Sequence, residues 1–384
     1  MRIGAQKLFD GTRWLGPSVL TIHGGVIEEI SRWDGVESVD HGSEVLLPGL
    51  IDSGAVVEGY LEGPAHGMPF LPEEAFAALS LAAGVTTVID LGAGPNALAY
   101  FEELAAEGKA PMVFSSGARL VTEPTQRIDR VVRASTVESQ LDALQAGDAA
   151  LIRIGQMDQH LMAGIVESAH RRGMTVANSL HREPDAPGLV ATKPDGTKWL
   201  IPQMQAHAVW DVPGMLQETE AGRARTFLPY ARHFQSRRGV VGRGIARDVL
   251  RRLYGDRPEI TPPTAETVGS AVEVGRCVAA SGAGGVALVP GHSLWDELGR
   301  LGRVESVLAT ATSVASDLWE LAVGRIEPGA PADLVLLHQV EVESNPRSWR
   351  SAIKAVVAGG VLASVEDLES RLTQLVSVQE ESSI

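Results

Sequence analysis

The sequence predicts an α/β protein, with a parallel sheet covered on its faces at the centre and β-rich segments at both ends. Two observations predict this. Through the middle of the chain, helical stretches alternate with short apolar runs at spacings that make consecutive strands parallel. The first 48 residues and the region beyond about residue 330 instead read as strands broken by Gly-rich turns. An α/β barrel and a doubly wound sheet both fit. The 384 residues, 44% hydrophobic and 21% charged, suffice for one barrel with an addition or for two domains.

Residues 1–48 contain "KLFDG", "SVLTIHGGVIEEISR" and "SEVLLPG", and the Gly24-Gly25 pair between alternating residues predicts a hairpin. From about residue 72, "PEEAFAALSLAAG" places Pro72 and two glutamates where a first helical turn favours them, and "VTTVIDLG" follows as a strand. The same rhythm returns in "AYFEELAAEGKAPMVFSSG", "TVESQLDALQAGDAALIRIG" and "LMAGIVESAHRRGMTVANSL". Residues 182–201, "REPDAPGLVATKPDGTKWLI", break it, and read as an exposed insertion or as a lid at a strand end. "SAVEVGRCVAAS" and "RVESVLATATSVASDLWELA" read as helical, "ADLVLLHQV" and "IKAVVAGGVLAS" as strands, and "EDLESRLTQLVSVQEESSI" as a helix with a polar end.

The net charge of -15 argues against a polyanionic partner, since nucleic-acid affinity relies on Lys and Arg neutralising phosphates. The arginines of "ESAHRRGM" and "FQSRRGVVGRGIARDVLRRLYGD" read as solvated helix faces. The one cysteine, Cys277, excludes an internal disulfide and a multi-Cys zinc site, and reads as core filler. The start "MRIGAQKLFDGT" has no apolar signal core and no run reaches the roughly 18 apolar residues of a membrane span, so the expected location is the cytoplasm, with no membrane partner. There is no P-loop, no GxGxxG after a strand and no GxSxG elbow.

Five stretches, in order, resemble the amidohydrolase superfamily and within it the imidazolonepropionase-like and prolidase-like branch. They are "LLPGLID" (46–52), "AAGVTTVIDLGAGP" (82–95), "PMVFSSGARL" (111–120), "AALIRIG" (149–155) and "GRIEPGAPADLVLL" (324–337) followed by "VVAGG". The resemblance implies a distorted TIM (β/α)8 barrel over 49–322 and a small β-sandwich built from both termini, 1–48 and 323–365, with a helical tail over 366–384. It also implies chemistry at the C-terminal ends of the strands. Such proteins usually carry two His after strand 1, a carboxylated Lys or a Glu after strand 4, one His each after strands 5 and 6, and an Asp after strand 8. These hold a metal that activates water.

Laid on that pattern, the strand-1 histidines fall on Gly54 and Val56, the strand-4 position on Arg153, and the strand-5 histidine on Ser179, with His181 two residues on. A guanidinium has no lone pair to give a metal. The resemblance puts His207 at the strand-6 position and His292 near the strand-8 Asp. The sequence reading is a pocket without a metal centre or other cofactor. His207, His292 and His181 are its acid–base candidates, and Arg153, Ser179, Glu58 and Asp52 would contact substrate. The plainer reading makes these histidines inherited residues of an inert mouth, Glu58 part of a polar loop with Glu62 and His66, and Asp52 and Asp90 acceptors for loop backbone. A three-His metal site is a further alternative.

The expected function is a metal-independent amidohydrolase-superfamily enzyme using general acid–base catalysis on a small carbonyl, carboxylate or amide compound. The reaction would be cyclisation, isomerisation, dehydration or C–N cleavage. The rivals are a non-catalytic scaffold or regulatory partner, since ligand loss is known in superfamily proteins that work through assembly, and a small-molecule binding protein. A homo-oligomer or protein partner fits either.

Overall fold

The computed structural model describes residues 1–35, 38–57, 73–124, 129–147, 149, 151–155, 157–179, 189–202, 265–281, 290–302 and 304–381. The amino-terminal strands are β1 (Arg2–Phe9), β2 (Trp14–Leu15), β3 (Ser18–His23), β4 (Val26–Arg32) and β5 (His41–Pro48). The β3–β4 hairpin turns at Gly24 and Gly25, whose φ values of 57° and 79° explain the glycine pair.

The middle of the chain runs β6 (Leu50–Ala55), α1 (Glu73–Ala82), β7 (Val85–Asp90), α2 (Pro95–Ala106), β8 (Met112–Ser115), β9 (Arg119–Val121), β10 (Asp129–Val131), α3 (Val137–Ala146), β11 (Leu151–Ile154), α4 (Gln159–Arg171), β12 (Thr175–Ser179), β13 (Leu189–Thr192) and β14 (Lys198–Ile201). After α5 (Ala265–Glu273), α6 (His292–Leu301), α7 (Val304–Thr310) and α8 (Ser313–Trp319) come β15 (Leu334–Leu337), β16 (Ile353–Ala358), β17 (Val361–Ser364) and α9 (Val365–Glu381).

Both chain ends enter one eight-stranded mixed sheet in the order β17-β16-β15-β5-β1-β3-β4, with β2 beside β1. This sheet curls on itself. Ile27 of β4 and Val357 of β16, far apart in the strand order, share one buried cluster, and the β3–β4 and β16–β17 turns touch through Gly25 and Gly360. The resemblance implies a small β-sandwich built from both termini; the described strands of both ends join in one eight-stranded sheet. The tail expected as an appended helix is anchored: Leu368 and Leu372 are buried, Leu368 in the cluster that holds Phe76 of α1, and the Arg371 guanidinium donates to the Lys109 carbonyl at 2.8 Å.

The central strands are parallel from β6 through β7 to β8, and from β9 through β11 to β12. Alternation sorts their side chains. Ile51, Ile89, Leu151, Ala177, Ala191, Trp199, Val278 and Ala280 share one interior cluster, with Phe114 packed on it. Leu120, Ile152, Ile154 and Val176 instead pack outward against α3 and α4. The "PG" before β6 has a steric cause, because a Cβ on Gly49 would overlap the Thr86 side chain.

Two features differ from the sequence reading. Of residues 182–201, expected as an insertion or lid, 182–188 lie outside the described residues and the remainder carries the antiparallel pair β13–β14, with β13 paired to β12. Cys277, expected in a helix, lies in an extended stretch after α5. Leu200 donates to the Arg276 carbonyl at 2.8 Å, Val278 to the Leu200 carbonyl at 3.0 Å, and Ser53 of β6 to the Ala279 carbonyl at 3.0 Å. The cysteine is fully buried and its thiol is pushed up by burial, in keeping with core filler. No helix among the described residues is long and apolar enough to cross a membrane.

Asp333 joins the curled sheet to the base of β6. Its carboxylate accepts from the Gly359 amide at 2.9 Å, its carbonyl accepts from the Gly49 amide at 2.7 Å, and burial pushes its pKa up to about 6. A folded pKa above the unfolded 3.8 means that the stability is present below about pH 4 and lost as pH rises through 6. Asp333→Asn keeps an acceptor for Gly359. It is expected to flatten the stability profile between pH 4 and 7 and to gain up to about 3 kcal/mol above pH 7. Urea denaturation at pH 4.5 and 7.5 checks this, and a variant less stable at pH 7.5 contradicts it.

Candidate active site at the C-terminal ends of the central strands

Three buried polar groups organise this end of the strands. Asp90, the last residue of β7, is fully buried and accepts from the amides of Val57 at 3.0 Å, Gly92 at 3.0 Å and Ala93 at 2.6 Å, and from the Ser115 hydroxyl at 2.6 Å. The Ser115 hydroxyl in turn accepts from the Gly117 amide at 2.9 Å. One carboxylate therefore ties the ends of β6, β7 and β8 together. Burial raises its pKa against the lowering effect of these four donors.

Asp52 of β6 makes a second such junction. It accepts from the Ser281 amide at 2.9 Å, from the Ser281 hydroxyl, and from the Gly54 amide at 3.2 Å. Its pKa is likewise raised by burial and opposed by the hydrogen bonds. Beside it the Trp319 indole donates to the Ser53 hydroxyl at 3.0 Å. The geometry gives both aspartates a strand-tying role, and none of the contacts described here shows Asp52 directed at a substrate.

Arg153 is the third group. Leu151 faces the interior cluster while Ile152 and Ile154 face α3 and α4, so the period-2 alternation of β11 turns Arg153 inward. It is 9% exposed, and its guanidinium donates to the Leu91 carbonyl just past the end of β7. A β11 side chain thus reaches the residue that follows β7. Gly54 lies in β6, and Val56 belongs to the interior cluster, so the strand-1 positions supply space and apolar surface.

Of the other candidates, Ser179 is the last residue of β12, paired with Leu189. His292 lies elsewhere. It opens α6, buried, with Gly291 before it packed so closely that a Cβ there would stand 2.5 Å from Ala83 Cβ, and Trp295 donates to the Ala83 carbonyl at 2.7 Å. Ala83 leads into the N-terminal end of β7, whereas Arg153 reaches Leu91 past its C-terminal end. The two sites are roughly 20 Å apart along a strand rising about 3.3 Å per residue. The structure does not bring His292 to Arg153. The stretch bonded to β6 is 277–280, and His292 begins a helix beyond it. His181, His207 and Glu58 lie outside the described residues.

No protein-family model and no curated protein matches the sequence. Solved structures do match, over nearly the whole chain. An A. niger ochratoxinase superposes with a TM-score of 0.63 at 17% identity, covering 94% of this chain and 95% of that one. A Xaa-Pro dipeptidase with methionine bound in its active site gives 0.63 at 17%, covering 94% and 99%. A protein described as an amidohydrolase gives 0.58 at 19%, covering 95% and 99%. The chain shares the fold of these structures. At such identities the likeness is one of fold, and the superfamily's metal has to be tested on the side chains present. Gly54 and Val56 offer no donor, Arg153 has no lone pair, and among the described residues no group of three or more His, Cys, Asp or Glu is placed to hold an ion. The described donor set does not fit that metal.

Sequence reasoning missed Ser281, which holds Asp52. Ser281 ends a run of small apolar residues with helical period, so its strand placement had no local signal.

Proposed function

We propose that this chain is an amidohydrolase-fold enzyme that works without a metal ion, cleaving a C–N bond in a small carboxylate- or amide-bearing compound. In this reading the Arg153 guanidinium stands as the fixed cation of the mouth. The observation that carries the reading is Arg153 itself, buried, turned inward from strand 4 and braced on Leu91. A guanidinium so held orients a carbonyl and stabilises the oxyanion formed when water attacks it, and it cannot serve as the base. The proton transfers then fall to imidazole, for which His181 and His207 are the sequence candidates. C–N cleavage is preferred over cyclisation, isomerisation or dehydration because one of the matched structures is a dipeptidase and another an amidohydrolase.

The same reading takes the central strands as a closed, distorted barrel in which β13 and β14 occupy two places between β12 and the 277–280 stretch. The backbone bonds from Leu200 to 276 and 278, and from Ser53 to Ala279, support closure. The test is turnover of a panel of N-acyl amino acids and dipeptides by the wild-type and Arg153→Met proteins, each dialysed against chelator. Turnover that persists in the wild type and is lost in the variant supports the proposal, and turnover appearing only with added zinc overturns it.

A second reading, a non-catalytic scaffold, is favoured by one observation: Asp52 and Asp90 spend their oxygens on protein donors. It gains if no member of the panel is turned over and the chain co-purifies with a protein encoded beside it.

A further inference from the structure

We propose that Asp90 is the positioning residue of Arg153, and that the two side chains act as one unit through the peptide group joining Leu91 to Gly92. This rests on the reading of Arg153 as the cation of the mouth and says what fixes it there.

The backbone carries the argument. A trans peptide unit is planar, so its C=O and N–H point to opposite sides. The Leu91–Gly92 unit spends both ends on buried ionisable side chains. Its N–H donates to Asp90 Oδ2 at 3.0 Å, and its C=O accepts from the Arg153 guanidinium. Asp90 is fully buried and Arg153 nearly so. The peptide dipole is positive at its N–H end and negative at its C=O end, so carboxylate and guanidinium each meet the end of opposite sign. Hydrogen bonds in such a chain polarise one another, most of all away from water.

The peptide plane is held on both flanks. The Leu91 amide donates to the Ala55 carbonyl of β6 at 2.8 Å, and the Ala93 amide donates to Asp90 Oδ2 at 2.6 Å. Tying β6, β7 and β8 together accounts for the bonds from Val57 and Ser115 to the same carboxylate. The Gly92 bond does something further: it sets which way the Leu91 carbonyl faces. Turning that plane would break the Gly92 bond and carry the carbonyl off Arg153 in the same motion.

The test is NMR of the full chain labelled with nitrogen-15 arginine, in which the Arg153 guanidinium signal is the one absent from Arg153→Met. Asp90→Asn is expected to shift that signal and to speed the solvent exchange of its protons about tenfold or more. Asp52→Asn, at the neighbouring strand junction, should leave the signal in place, which separates lost positioning from general loosening. A measurement on the wild type needs no variant: the Gly92 amide and the Arg153 guanidinium protons should both be protected from exchange. In turnover, Asp90→Asn should lower kcat about tenfold or more with KM within about twofold, and add no further loss to Arg153→Met. An Arg153 signal unmoved in Asp90→Asn, or moved equally by Asp52→Asn, overturns the proposal. So do freely exchanging Arg153 protons beside a protected Gly92, or a full further loss in the double variant. A signal that moves as expected in a protein that turns over nothing sinks the enzymatic reading alone. Turnover lost in Arg153→Met, with the signal unmoved in Asp90→Asn, sinks this one alone.

Discussion

Arg153→Met is expected to lower kcat/KM by about 10²–10³-fold, the usual cost of removing one preorganised oxyanion donor. Methionine fills a similar apolar volume but leaves the Leu91 carbonyl without its donor, at about 1–3 kcal/mol, so the rates are compared per folded chain as read from urea unfolding. The loss should appear mainly in kcat if the guanidinium meets the developing oxyanion, and in KM if it only anchors a substrate carboxylate. Arg153→Lys keeps the charge without the fork and is expected to recover part of the loss. Unchanged turnover in Arg153→Met removes the residue from the chemistry.

Asp90→Ala is expected to cost about 3–5 kcal/mol of folding stability, since it strands three backbone amides and the Ser115 hydroxyl where β6, β7 and β8 end. Each buried donor left without a partner carries a penalty of about 1–3 kcal/mol. Asp90→Asn should cost less, because one amide oxygen still accepts, while its NH2 group meets the donors of the other oxygen. Urea unfolding of both variants measures the difference. A loss below about 1 kcal/mol for alanine would mean that the carboxylate does not hold these strand ends.

The fold was legible where local pattern and tertiary contact agree. The Gly24-Gly25 turn and the helix–strand rhythm from α1 to β12 followed from period and turn chemistry, while the meeting of both chain ends was implied by the resemblance. The β13–β14 pair was half legible. "TKPDGTK" is a turn signal between "LVAT" and "KWLI", yet membership of the central sheet depends on β12, which no local pattern reports. "CVAAS" failed for a related reason: a short run of small apolar residues has no period of its own, and its backbone bonds to β6 and Leu200 decide its conformation.

The candidate site divides in the same way. Arg153 turns inward as the alternation of "LIRIG" requires, and Val56 supplies apolar surface as its residue type does. His292 was aligned by a motif whose strand lies elsewhere, and its place at the start of α6 puts it at the other end of the strands.

In the proposed reading the Arg153 guanidinium stands where the resemblance implies a metal ion. Elemental analysis of protein purified without chelator and then equilibrated with zinc tests it most directly. Well under one equivalent of zinc, iron or manganese per chain is expected, with Arg153→Met no different. One or two tightly held equivalents per chain would contradict it.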